Sequence, residues 1–303
     1  MKKYIYIFGA AALLAVSCNK SDAPEVISSE EIVFSVQEEM NATVYTKADV
    51  VTSPTSLHVR ATTASAIVEN FSDVEFTKGD DSKYKAGKYW PTTDGSWRFT
   101  FANAAFTGTY NATAVVAANA GTDIVVGTAT PTHKTEFAIT LDHIFAQVGT
   151  VTMKAPAGYS VTNCKVSLQP ITSGTYTIPT GAWGSLGAAG AATYIFGTAG
   201  AGVDVSNAGV TSADNDLWLV PGNYTLTCTY TIAKGDYSNS FTKTASVTLQ
   251  KGKNNNIGLA NLTDPSNPLS GDPNIPTPTD ISEIVFTVTV TPWGDVNVPA
   301  NFE

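Results

Sequence analysis

A two-residue rhythm runs through this 303-residue chain and limits what it can fold into more than any other feature. Apolar and small polar residues alternate in Trp97-Arg-Phe-Thr-Phe101, Thr109-Tyr-Asn-Ala-Thr-Ala-Val-Val116, Thr135-Glu-Phe-Ala-Ile-Thr-Leu141 and Phe145-Ala-Gln-Val-Gly-Thr-Val-Thr-Met153. The same rhythm returns in Asn223-Tyr-Thr-Leu-Thr-Cys-Thr-Tyr230 and Phe241-Thr-Lys-Thr-Ala-Ser-Val-Thr-Leu249. Successive side chains of a strand point to opposite faces, so period two marks half-buried β-strands and not helices. Gly, Pro, Asn and Asp punctuate the runs at roughly sandwich spacing, and no stretch offers a helix of three turns. Charged residues make up only 14% of the chain, against roughly 25% in ordinary soluble domains. Disorder does not explain the deficit, because 43% of residues are hydrophobic and 13 Phe, 12 Tyr and 5 Trp can build a core. The expectation is an all-β chain of about two domains at ~150 residues each. A formal charge of −9 without a basic patch excludes nucleic acid as a partner.

Met1-Lys2-Lys3, the apolar run Tyr4 to Val16 and then Ser17-Cys18 read as a secretory signal over residues 1–17. The run is too short for a bilayer, which needs ~20 residues. Ala15-Val16-Ser17-Cys18 resembles a loose bacterial lipobox, which implies lipidation of Cys18. Polar Asn19-Lys20-Ser21-Asp22 then suits a tether. Cys164 and Cys228 remain, each in a strand-like run. In an oxidising compartment they either pair as a disulfide or stay as two buried thiols.

The three histidines, His58, His133 and His143, are scattered, and no Cys/His cluster has metal spacing. Neither a His-Glu-x-x-His nor a Gly-x-Ser-x-Gly motif occurs. Asp142-His143 lacks an evident nucleophile, and Asp80, Asp81, Asp214 and Asp216 sit among turn residues. The chain is expected to be no enzyme and to need no metal or cofactor. Trp90, Trp97 and Trp183 leave open a glycan-binding surface lipoprotein, because aromatic faces stack on sugars, although core and turn roles suit them better. Ala155-Pro-Ala-Gly-Tyr159 is a plausible domain joint, giving domains at 48–155 and 156–263, and the Gly/Ala-rich stretch 181–202 is expected to be a long loop.

One hexapeptide occurs twice. Glu31-Ile-Val-Phe-Ser-Val36 stands near the start and Glu283-Ile-Val-Phe-Thr-Val288 near the end, continuing Thr289-Val290. In a strand, Ile32, Phe34 and Val36 share one face, as do Ile284, Phe286, Val288 and Val290. Two strands with the same knobs can fill the same groove, so one can substitute for the other. The C-terminal copy, in segment 281–303, follows the stretch 264–280, which holds five of the 15 prolines. Such a tether stays extended at ~3.1 Å per residue and can reach ~50 Å, far enough to deliver the strand to a neighbouring molecule. The N-terminal copy is followed by a polar stretch ending Thr46-Lys47-Ala48, a natural site for a trypsin-like protease. A cut there would release residues 18–47 and open the groove.

These features resemble, in order, those of the fimbrillins, subunits of the type V pili of Bacteroidales. The resemblance is carried by the lipobox at Cys18, the Ile32-Val-Phe-Ser strand with Thr46-Lys47-Ala48, Lys88-Tyr-Trp-Pro91 and Leu141-Asp-His-Ile-Phe-Ala-Gln-Val148. Leu219-Val-Pro-Gly222 and Ile284-Val-Phe-Thr-Val-Thr-Val-Thr-Pro-Trp293 complete it, so that it spans nearly the whole chain. It implies two tandem transthyretin-like β-sandwich domains and export as an outer-membrane lipoprotein precursor held by lipid at Cys18. It also implies proteolytic loss of the first strand and polymerisation by donor-strand exchange into a cell-surface fimbrium. The implied partners are other copies of the chain, other fimbrial subunits and host or bacterial surface ligands. The family usually has Arg where this chain has Lys47, which calls for a Lys-tolerant protease. Arg60, in Leu57-His-Val-Arg-Ala61, looks like strand interior and is the poorer cleavage site. An anchor or tip subunit is the alternative within the family.

Overall fold

The computed structural model describes residues 31–37, 54–63, 66–68, 70–90, 95–107, 115–119, 123–155, 158–213, 215, 217–260 and 285–292, the last of these by backbone alone. They form twenty-two strands and no helix. The strands are β1 (Phe34–Val36), β2 (Ser56–Thr62), β3 (Val74–Lys78), β4 (Lys83–Lys85), β5 (Arg98–Ala102), β6 (Phe106–Thr107), β7 (Val115–Asn119), β8 (Val125–Ala129), β9 (Phe137–Ile139), β10 (Asp142–His143) and β11 (Ala146–Met153). They continue as β12 (Ser160–Leu168), β13 (Ser173–Thr177), β14 (Ala182–Gly184), β15 (Thr193–Phe196), β16 (Val203–Val205), β17 (Val210–Thr211), β18 (Leu217–Leu219), β19 (Gly222–Lys234), β20 (Tyr237–Leu249), β21 (Lys253–Ala260) and β22 (Val285–Pro292).

The alternation read from sequence is the burial pattern of the strands. In β19, Tyr224, Leu226, Cys228, Tyr230 and Ile232 are buried, while the threonines between them are exposed or half-buried. A short turn, in which Gly235 has φ 58°, reverses the chain so that Lys234 pairs with Tyr237 and β20 runs back along the whole of β19. Positive φ costs glycine nothing sterically, which makes Gly235 the natural turning residue.

An eight-stranded sheet has the order β10-β8-β5-β2-β3-β4-β1-β9. Two others follow β17-β11-β21-β22, with β18 beside β11, and β15-β12-β19-β20, with β16 beside β12. A fourth, β14-β13-β7-β6, joins strands from well-separated parts of the chain. Three buried clusters hold the sheets together. One is aromatic and includes Ile32, Phe34, Phe76, Tyr84, Trp90, Phe99 and Phe101. A second, with Val148, Val151, Val166, Leu226, Tyr230 and Ile257, fills the space between the two sheets built on β11 and β12. The third brings Phe106, Val126 and Phe145 against Tyr176, Trp218 and Val220. Met153, Ala155 and Val161 all lie in the second cluster, with Gly158 (φ 80°) in the connection from β11 to β12.

The stretch 181–202 differs from the expected loop, since it carries β14 and β15. The cause is the apolar minority among its glycines. Ile195 and Phe196 are buried against β12, and Trp183 packs on Phe145 and Tyr176 at ring separations of 5.4 and 5.2 Å.

Tyr224 forms a tyrosine corner at the start of β19, donating its hydroxyl to the Val220 carbonyl at 2.7 Å. Burial pushes its phenol from 10.0 up to about 12. A folded-state value above the unfolded one gives stability that is complete below the unfolded value and is lost as pH rises through the folded value. Stability should therefore fall between about pH 10 and about 12, and Tyr224→Phe should flatten that part of a denaturation-against-pH curve. An unchanged slope in the variant would contradict the assignment.

Candidate functional site

The first strand lies inside the large sheet, with a neighbour on each side. Phe34 and Ser35 pair antiparallel with Tyr84 and Lys83 of β4. Phe34, Ser35 and Val36 pair parallel with Phe137, Ala138 and Ile139 of β9. Beyond the strand, Ile32 N–H donates to the Lys88 carbonyl and Gln37 N–H to the Ile139 carbonyl, each at 2.8 Å. Glu31 bridges Tyr89, and its Oε1 accepts from Gly87 N–H at 3.1 Å.

Alternation puts Ile32 and Phe34 on the core face, where both are fully buried, and Val36 packs against the same cluster. The Phe34 ring sits among four others: Phe101 at 4.9 Å, Phe76 and Tyr84 at 5.2 Å, and Phe137 at 5.7 Å. The Tyr84 hydroxyl donates to the Pro54 carbonyl, which anchors that wall of the slot. On the outer face, Lys83 Nζ meets Glu136 Oε2 at 2.7 Å, linking β4 to the residue before β9 across the strand between them. Removing residues 31–37 would expose an aromatic slot and leave the facing backbone groups of β4 and β9 unpaired. Each unpaired buried group costs about 1–3 kcal/mol, and an open sheet edge is a template for another strand.

The C-terminal copy sits elsewhere. Among the described residues the strand β22 ends its sheet, antiparallel to β21, with Phe286, Val288 and Val290 opposite Leu259, Ile257 and Asn255. The two copies thus occupy different kinds of sheet position, one internal and one terminal. Cys18, Lys47, Ala48, Ile284 and the stretch 264–280 lie outside the described residues.

The other candidates are placed as follows. Arg60 is 3% exposed within β2, donating from Nε to the Ser72 carbonyl at 2.7 Å and lying over the Phe106 ring, out of a protease's reach. Trp90 and Trp97 are in the aromatic core and form no sugar platform. His143 pairs with Asp123, whose carboxylate is fully buried, at 2.8 Å. Cys164 and Cys228 are free thiols in adjacent strands, buried, with sulfurs 3.9 Å apart. The Cys164 thiol beside it, together with burial, pushes the Cys228 thiol far up, so Cys228 is not poised as a nucleophile. Among the described residues no group of three or more His, Cys, Asp and Glu is placed to hold a metal ion. Sequence reasoning missed the walls of the slot, Phe76, Tyr84, Phe101 and Phe137. Their one sequence signal is an aromatic on the buried phase of each strand.

No family model and no curated protein matches the chain. Solved structures do. One, described as a "putative cell adhesion protein" from Bacteroides ovatus, is 14% identical with a TM-score of 0.45, over 87% of this chain and 95% of that one. Another of the same description, from Parabacteroides distasonis, is 12% identical with a TM-score of 0.49, over 89% and 99%. A fimbrial protein from Bacteroides ovatus is 11% identical with a TM-score of 0.30, over 71% of this chain and 47% of that one.

Proposed function

We propose that the chain is a structural subunit of a surface fimbria that polymerises by exchanging its first strand for the C-terminal strand of a neighbour. A single observation carries the reading. The segment seated in the aromatic slot, Glu31-Ile-Val-Phe-Ser-Val36, has its near-copy in Glu283-Ile-Val-Phe-Thr-Val288, whose strand is held on one side only in the described sheet. A strand with the same knobs restores both the apolar contacts and the backbone pairing of the slot, as in other modes of strand addition. In this reading the precursor is held at the outer membrane by lipid on Cys18 and is cut between Lys47 and Ala48. The Pro-rich stretch 264–280 then carries residues 284–290 to the next subunit. The body in this reading is two tandem transthyretin-like sandwiches, residues 48–155 and 156–263.

Burial of Arg60 leaves Lys47 as the better basic site for the cut. N-terminal sequencing of fimbriae sheared from cells should give Ala48 as the first residue. Material that still begins at lipidated Cys18 would overturn the processing step and favour an anchor subunit.

A further inference from the structure

We propose that Glu283 fixes the register in which one subunit's strand enters the next, by taking the place that Glu31 holds in the precursor; this rests on the strand-exchange reading above. An apolar slot read alone is ambiguous. Ile284, Phe286, Val288 and Val290 recur every second residue, so a donor slipped by two positions keeps the same face towards the core. Aromatic packing favours Phe286 in the four-ring position, yet Val288 or Ile284 would enter it without a clash.

The polar mouth of the slot removes the ambiguity. Glu31 Oε1 accepts from Gly87 N–H at 3.1 Å, and Gly87 holds φ 60°, a conformation that costs glycine little. Lys85 stands nearby. Its ammonium pairs with Asp81 at 2.7 Å, and Asp81 first, then Glu31 and Glu136, favour its charged form. The mouth therefore offers one N–H, with the Lys85 ammonium within electrostatic range, to a carboxylate one residue ahead of the first apolar knob. In the repeated hexapeptide that residue is Glu31 in one copy and Glu283 in the other. Only the unslipped register brings Glu283 to Gly87. A shift of two residues towards the C-terminus puts Val285 there, and the opposite shift puts Ile281 there.

The test uses the full chain, cut with a trypsin-like protease, with polymers followed on unheated gels. Glu283→Gln should slow assembly about fivefold, the scale of one partly exposed charge-assisted hydrogen bond. Glu283→Lys should slow it about tenfold or more, and Lys85→Glu in the acceptor should recover most of that loss. A cysteine at position 138 of the acceptor reads the register: it should link to a cysteine at 287 of the wild-type donor, and to one at 289 in the slipped fraction of Glu283→Lys polymers. Assembly of both Glu283 variants at the wild-type rate, with the 138–287 link intact, would overturn the proposal while leaving strand exchange standing. Failure of the wild-type chain to polymerise at all would instead overturn the strand-exchange reading.

Discussion

Phe286→Asp is expected to abolish polymer formation while leaving the monomer folded. In the exchanged joint Phe286 takes the position of Phe34, fully buried among Phe76, Tyr84, Phe101 and Phe137 at ring separations of 4.9–5.7 Å. None of those walls offers a cation, so a carboxylate there would lose its hydration with nothing in return, at a cost of several kcal/mol. Thr287→Asp is the control. Its counterpart Ser35 is half-buried and paired with Lys83, so a negative charge there is tolerated. Gels of unheated fimbriae should show ladders for Thr287→Asp and monomer alone for Phe286→Asp. Ladders of wild-type intensity from Phe286→Asp would count against strand exchange.

Phe34→Ala should lower the unfolding free energy of the uncut chain by about 3–5 kcal/mol, the usual cost of emptying a buried phenylalanine site. The slot is rigid because its walls belong to four different strands of one sheet, β3, β4, β5 and β9, so it collapses poorly around the gap. Val36→Ala, at the half-buried end of the strand, should cost about 1 kcal/mol. Denaturant melts of the precursor check both. Equal and small losses would mean that the first strand contributes little to the fold and is a poor candidate for replacement.

What could be read from the sequence follows from what period two encodes. Alternation tells which face of a strand is buried, and it did so for Tyr224 to Ile232 and for Ile32 and Phe34. It says nothing about which strand lies alongside. The parallel pairing of β1 with β9 joins residues about a hundred positions apart, as does that of β11 with β21. Tyr84, between two lysines, has too little apolar company to announce a core strand, yet it is a wall of the slot. The bulge in β12 between Thr162 and Lys165 sets how Cys164 meets Cys228, and no local pattern records it. The repeated hexapeptide was legible as sequence, but the difference between an internal and an edge position emerges only from long-range pairing.

The most direct measurement is a cysteine cross-link between two kinds of subunit, one carrying Ala138→Cys and the other Thr287→Cys. Ala138 is the exposed partner of Ser35, whose place Thr287 should take, while in the monomer Thr287 pairs with Gly258. Strand exchange predicts that, after cutting at Lys47 and mild oxidation, mixed subunits join covalently through 138 and 287. Polymers in which these positions never link, and in which cysteines at 287 and 258 of one chain link readily, would contradict it.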